Sequence, residues 1–260
     1  MSRLISKRSN WSLPYAIFLI FFVALPLVLV AMYAFQDADG RFSLEGFGKF
    51  FHDPDALKTF AVSLEIAIET TLLCVLIGYP AAWILANKKY NRSAVTIILF
   101  IMPMWVNALM RTLATAQLFM MLDVPLGKGT LLFGMVYDFL PFMIYPIYNV
   151  LSKMDKSYAE AAQDLGASPA TVFRKVTLPL SMPGVWSGIL MVFMPTVSTF
   201  AISEFLTNNK FKLFGTIIQD NINNGMWNYG AVLSLIMLVI IGITTLLSKD
   251  KGASAEEGLI

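Results

Sequence analysis

The sequence predicts an all-α polytopic membrane protein with six transmembrane helices. One reason is composition: the 260 residues are 57% hydrophobic and only 14% charged, with a mean hydropathy of +0.67, too apolar for a soluble domain of ordinary composition. A second is length. Six runs, 13–35, 60–86, 93–110, 131–151, 183–205 and 229–247, approach the roughly 20 apolar residues that a helix needs to cross a hydrocarbon core about 30 Å thick. The third is continuity, because the runs lack the alternation of barrel strands.

Taken in order, the first run follows Arg3, Lys7 and Arg8 and carries no charge. It exceeds a signal-peptide core and no small-residue cleavage site follows, so it is read as an uncleaved anchor. Glu65 and Glu69 lie in the first turns of the second run, and 112–122 extends the third. Of the 19 basic residues, Arg3, Lys7, Arg8, Lys88, Lys89, Arg92, Lys153, Lys156, Arg174, Lys175, Lys249 and Lys251 fall on one side. That side is therefore cytoplasmic, and both termini with it. Trp11, Tyr33, Trp83, Trp105 and Trp227 stand near span ends as interfacial anchors. The expected organisation is an N-terminus, first span and outer loop over 1–59, a permease core over 60–248 and a cytoplasmic tail over 249–260, flexible from Gly252. No internal repeat of the secondary-transporter kind is visible, so a helical partner is expected on another chain.

The cytoplasmic loop 152–182 is longer than a connector requires. Ser157 with Glu160 three residues later has capping-box spacing and starts a helix. Gly166 suits a left-handed stop. Ser168-Pro169 then begins a second helix, with Val172 and Phe173 as its apolar face, leading towards Leu178-Pro179. The result is a rigid elbow with small side chains at its tip.

Glu160-Ala161-Ala162, Gly166 four residues further on, Phe173 and Leu178-Pro179 resemble the EAA loop of type I ABC importer permeases, the MetI-like fold, and occupy the same place before the last two spans. Further segments, Gly78-Tyr79-Pro80 with Trp83, Pro103 to Arg111, Leu140 to Met143 and Pro146 to Tyr148, are similar to the first permease of spermidine/putrescine importers. The resemblance implies a cytoplasmic coupling helix between spans four and five that docks on an ATPase subunit through Glu160, Ala161, Ala162, Gly166, Ser168 and Phe173. It also implies a second homologous permease, two ATPase subunits that bind ATP and Mg2+, an extracytoplasmic polyamine-binding protein, and a bacterial inner-membrane location. No cofactor and no catalytic or nucleotide-binding motif is expected on this chain.

Ionisable groups within spans are costly and are candidates for function. Glu65, Glu69, Asp138 and Glu204 fall in the outer halves of their spans, opposed mainly by Arg111, and such an excess of carboxylates suits a polycation. Asp138, Phe142 and Tyr145 at i, i+4 and i+7 share a helix face, offering an acid and two rings to ammonium groups. With Trp105 and Arg111 they form the candidate pathway. Equally, the glutamates read as hydrated interfacial groups and Asp138 as a structural partner of Arg111, and the sequence leaves both readings open.

Other signals are weaker. Gly127-Lys128-Gly129-Thr130 lacks the full phosphate-loop pattern and is read as a loop. His52 with Asp53 and Asp55 is read as solvated rather than as a metal site, and Cys74 as a packing side chain. A net charge of +2 without a basic patch argues against nucleic acid. The outer loop 207–228 is expected to meet the binding protein. The alternatives are the same importer for another small organic solute, or an ion-coupled secondary transporter.

Overall fold

A computed structural model describes residues 13–37, 39–87 and 94–257. Regular structure among them is helical, apart from one isolated antiparallel bridge between Gln36 and Phe42. The helices are α1 (Pro14–Ala34), α2 (Glu45–His52), α3 (Pro54–Ala86), α4 (Ala94–Ile101), α5 (Ala108–Met121), α6 (Lys128–Lys153), α7 (Ser157–Asp164), α8 (Pro169–Ser198), α9 (Ala201–Thr207), α10 (Phe214–Asn223) and α11 (Trp227–Glu257). Five are long and apolar enough to cross a membrane, and α4 with α5 supplies a sixth span if the bent pair counts as one. Arg3, Lys7, Arg8, Trp11, Lys88, Lys89 and Arg92, which bear on orientation and anchoring, lie outside the described residues.

The third span is not the straight helix its composition predicts. Pro103 sits in a 3-10 turn, Met102–Trp105, after which Val106 is extended. Asn107 then starts a new helix by accepting the Leu109 N–H at 2.9 Å, the usual work of an asparagine N-cap. The two segments meet at 91°. Apolar content registers neither the cap nor the turn.

The fifth span also differs from expectation. The second helix of the elbow continues through a π-helical turn, Phe173–Thr177, straight into Leu178–Ser198, so no loop separates elbow from span. At the far end Thr199 turns extended, and Glu204, expected in span five, stands in the separate helix α9. The 127–130 segment read as a loop is the start of α6, where Thr130 Oγ1 accepts the Gly127 N–H at 2.8 Å. The expected flexible tail remains helical as far as Glu257.

The chain forms two compact units. The first combines residues up to Leu57 with Ile217–Ile240. In it Ala34, Ala231 and Val232 are buried, with Val30, Phe47 and Leu235 packed around them. Asn228 Nδ2 donates to the carbonyls of Gln36 and Asp37 at 2.8 and 3.0 Å, which secures the turn after α1. Most of α1 above Ala34 is exposed, as suits a lipid-facing helix.

The second unit, Lys58–Thr216 with the chain from Ile241 on, is built around α6. Met143, Ile144 and Ile147 are buried against Cys74, Tyr79 and Ala82 of α3 and Val185 and Val192 of α8. Gly184 and Gly188 form a G-x-x-x-G face on α8. A Cβ at Gly184 would lie 2.9 Å from the Pro146 carbonyl oxygen, and one at Gly188 2.6 Å from Met143 Sδ. Lipid provides little hydrophobic drive for helices to associate, so close contact through small residues and scattered hydrogen bonds does that work. Tyr79 and Ser181 hydroxyls meet at 2.9 Å, Thr130 Oγ1 donates to the Leu206 carbonyl at 2.7 Å, and Ser63 Oγ accepts the Phe214 N–H at 2.7 Å. Bonds of this kind contribute about 0.6 kcal/mol each in membranes.

Gly184→Ala is expected to destabilise the protein by about 1–3 kcal/mol, because the added methyl meets backbone that cannot move aside. Gly129→Ala, where nothing lies within 4 Å of the new carbon, is expected to change stability by no more than about 0.5 kcal/mol. Thermal melting of the two variants in the same detergent checks the difference.

Candidate functional site

The first helix of the elbow, α7, has no buried residue and is stopped by backbone chemistry. Ser157 does not cap α7 as expected. Lys156 holds the N-cap position without a side-chain bond, and Asp155 Oδ1, one residue earlier, accepts the Ser157 N–H at 2.9 Å. An acid there also suits the positive end of the helix dipole. The bond to the Ser157 backbone holds the Asp155 carboxyl below its ordinary range. Its contribution to the helix start is therefore complete above the ordinary carboxylate pKa and is lost as pH falls through the lowered value.

At the other end Gly166 has φ +82°. Its N–H donates to Gln163 O at 2.8 Å and the Ala167 N–H donates to Ala162 O at 3.0 Å, the paired bonds of a Schellman stop. Ser168 Oγ then accepts the Thr171 N–H at 3.3 Å and Pro169 opens α8. Glu160, Ala161, Gly166 and Ser168 are exposed, Ala162 is half-buried, and Leu165 at the bend is 90% exposed. Leu165 stands outside the motif residues of the loop. An apolar side chain beside a glycine stop was the available signal.

Phe173 faces the other way. Its ring stands edge-on to Tyr79 at 5.9 Å and packs with the core around α6, so it anchors the elbow rather than forming part of its exposed tip. A cavity of about 340 Å³ lies between the elbow and the ends of α3 and α6, lined by Trp83, Leu151, Lys156, Ala159, Glu160 and Thr177 among others.

Apart from Glu204, the candidate charged groups resolve into two sets. Arg111 and Asp138, both buried, pair at 3.2 Å. Asp138 Oδ2 accepts from Thr112 Oγ1 at 3.1 Å, and the Arg111 guanidinium lies 5.6 Å from the Tyr137 ring centre. Glu65 and Glu69, one helical turn apart on α3, share Lys128 at 2.6 and 2.9 Å. Lys128 was not among the expected counter-charges, because nothing in the linear sequence joins the start of α6 to α3. Of the four outer carboxylates, Glu65, Glu69 and Asp138 are thus opposed by two cations, Lys128 and Arg111, rather than mainly by Arg111.

Phe142 is half-buried against Phe139 at 6.3 Å, Tyr145 is exposed at 41%, and Trp105 at the bend is 85% exposed. Pro141 and Pro146 do not interrupt α6, so Asp138, Phe142 and Tyr145 do sit on one continuous helix. They differ in burial, however, and only Asp138 is enclosed. Glu204 rides on α9, which packs against both α5 and α6. His52 Nδ1 lies 2.8 Å from the Gly48 carbonyl.

Residues 74–250 match the family described as binding-protein-dependent transport system inner membrane component. The chain is 31% identical over 252 residues to the spermidine/putrescine transport system permease protein PotB of Escherichia coli K12, covering 88% of this chain and 91% of that protein. PotB of Haemophilus influenzae is 29% identical, covering 86% and 87%, and PotC of Escherichia coli K12 is 26% identical, covering 88% and 90%. The fold is similar to that in a crystal structure of a bacterial ABC transporter involved in import of the acidic polysaccharide alginate, with a TM-score of 0.66, 13% identity and coverage of 96% and 99%. A bacterial alginate ABC transporter in complex with its pentasaccharide-bound periplasmic protein gives 0.69, 12%, 95% and 93%. The family match over residues 74–250 and the identity to PotB along most of both chains make this chain a member of the binding-protein-dependent transport system inner membrane components, the permeases of ABC importers.

Proposed function

We propose that this chain is the permease subunit of an ATP-driven importer that moves polyamines into a bacterial cell by alternating access, with both termini cytoplasmic. The substrate reading rests on the similarity to PotB along nearly the full length of both proteins. The coupling reading rests on one geometric observation: the second helix of the elbow, opened by Pro169 just after the tip, and the span are one unbroken helix, α8. A push on α7 therefore reaches a spanning helix through one short bend, 165–168, whose Gly166 and Ala167 N–H groups are bonded back to α7.

In this reading a second homologous permease completes the pathway. Two ATPase subunits, which carry the ATP and Mg2+, grip Glu160, Ala161, Ala162, Gly166 and Ser168, with Leu165 as an apolar plug. A polyamine-loaded extracytoplasmic protein docks on the outer face, including residues 207–228. Closure of the ATPases draws the elbows together, and the spans exchange between two arrangements biased by nucleotide on one side and solute on the other. Asp138, Phe142, Tyr145, Glu204, Glu65, Glu69, Trp105 and Arg111 line or flank the solute path. A different organic solute on the same machine is the second reading. It is favoured by the pairing of Glu65, Glu69 and Asp138 with the chain's own cations.

The reconstituted transporter with its loaded binding protein is expected to hydrolyse ATP several-fold faster when spermidine is supplied. Stimulation by another solute and by no polyamine would keep the importer and remove the substrate. Gly166→Pro deletes the N–H bonded to Gln163 and forbids the positive φ, and Glu160→Lys reverses the charge on the exposed face. Each is expected to lower uptake at least tenfold while membrane insertion stays normal, as vesicle uptake and quantitative immunoblotting would read.

A further inference from the structure

We propose that Arg111 is a resident counter-ion that holds the place of a cationic solute on Asp138, and that translocation exchanges one cation for the other. The inference rests on the polyamine reading above and assigns the pair its role in transport. Its first support is how little of its bonding capacity the pair uses. Arg111 and Asp138 side chains are 7% and 2% exposed, so neither is satisfied by bulk water. Yet Arg111 Nε and Nη1 have no hydrogen-bond partner, and Asp138 Oδ1 accepts no hydrogen bond. One 3.2 Å contact and a long 3.4 Å bond from Nη2 to the Asp138 carbonyl are the link. The strongest arginine–carboxylate pairs present the guanidinium fork to both carboxylate oxygens, and this pair does not. Here Oδ2 is taken by Thr112, which orients the acid and leaves Oδ1 with Arg111 as its one cationic contact.

The second support is space. Arg111 lines a cavity of about 450 Å³ with Met110, Leu118, Phe133 and Tyr137. Tyr137 already lies beneath the guanidinium, and aromatic faces hold desolvated cations well. A displaced Arg111 thus has a second seat within reach of its side-chain torsions. The third support is position. The pair lies about 15 Å along α6 from its start, in the first turn of α5, directly after the break at Val106 and the 91° bend. Non-helical backbone at membrane depth is tolerated where it borders a cavity, and broken spans commonly border the solute site.

Exchange also resolves an electrostatic difficulty. A carboxylate waiting alone in a span would be uncompensated, and the desolvation cost would be large. If guanidinium leaves as ammonium arrives, Asp138 is compensated at every stage and the arginine moves onto a ring. The solute class this selects is a primary or secondary ammonium slim enough to reach Asp138 past Thr112.

The test uses the assembled permease and ATPase complex, washed free of binding protein, with radiolabelled spermidine as probe. Arg111→Gln, which removes the competitor, is expected to retain at least tenfold more spermidine than the wild type, and Asp138→Asn to retain none above background. In the complete transporter, the charge swap Arg111→Asp with Asp138→Arg and the neutral pair Arg111→Gln with Asp138→Asn are both expected to import at less than a tenth of the wild-type rate. Assembly is checked by size-exclusion chromatography, and if the swap does not assemble the neutral pair decides. Uptake restored to within twofold of wild type by either pair, or retention by Arg111→Gln no higher than wild type, would make the ion pair merely structural and overturn the proposal. A wild-type transporter that does not respond to spermidine would instead remove the polyamine reading before any variant is compared.

Discussion

Helix α6 depends on being approached at backbone distance, and much of the larger unit follows from that contact. Gly184 and Gly188 let α8 lie against Pro146 and Met143, and Gly78 does the same from α3, where a Cβ would come within 2.9 Å of Met143 Cγ. Apolar side chains gain little by leaving lipid for one another, so association relies on how closely the surfaces fit. The two prolines of α6 fall in this region. Their missing N–H groups are tolerated because neighbouring helices cover the backbone.

The same contact makes the elbow mechanically useful. The short bend at 165–168 joins α7 to α8, while Phe173 against Tyr79 and Tyr79 against Ser181 tie α8 to α3. A displacement at the exposed tip therefore reaches two helices that both grip α6. The left-handed Gly166 bend is held by two backbone bonds and little else. It keeps its shape without a core of its own and presents its surface outward.

Charge inside this unit is arranged sparingly. Glu65 and Glu69 share one lysine near the surface, where solvent screens the interaction and its net worth is small. Arg111 and Asp138 meet in the interior, where an unmatched partner would be far more costly. Both sets oppose carboxylates to the chain's own cations, and they differ mainly in depth. The deeper pair adjoins the broken third span, whose bend brings Arg111 beside Tyr137 as well as Asp138.

The sequence by itself determined the fold class, the number of apolar runs and the elbow's stop and restart. Those depend on composition, on a lone glycine followed by Ser168-Pro169, and on local backbone rules that need no distant neighbour. It also contained the small-residue pattern of Gly184 and Gly188 without declaring which helix would fill it. Only the tertiary structure decided that the third span is broken at Val106, that Glu204 leaves the fifth span for α9, and that the elbow runs into α8 through a π-turn. Hydropathy averages over a window of many residues, and the breaks at 106–107 and 199–200 are too short to register in it. Only the tertiary structure, too, joined Lys128 to Glu65 and Glu69, and Asp138 to Thr112. Such pairings are fixed by which helices pack side by side, and in a bilayer that choice rests on surface fit between segments far apart in the chain.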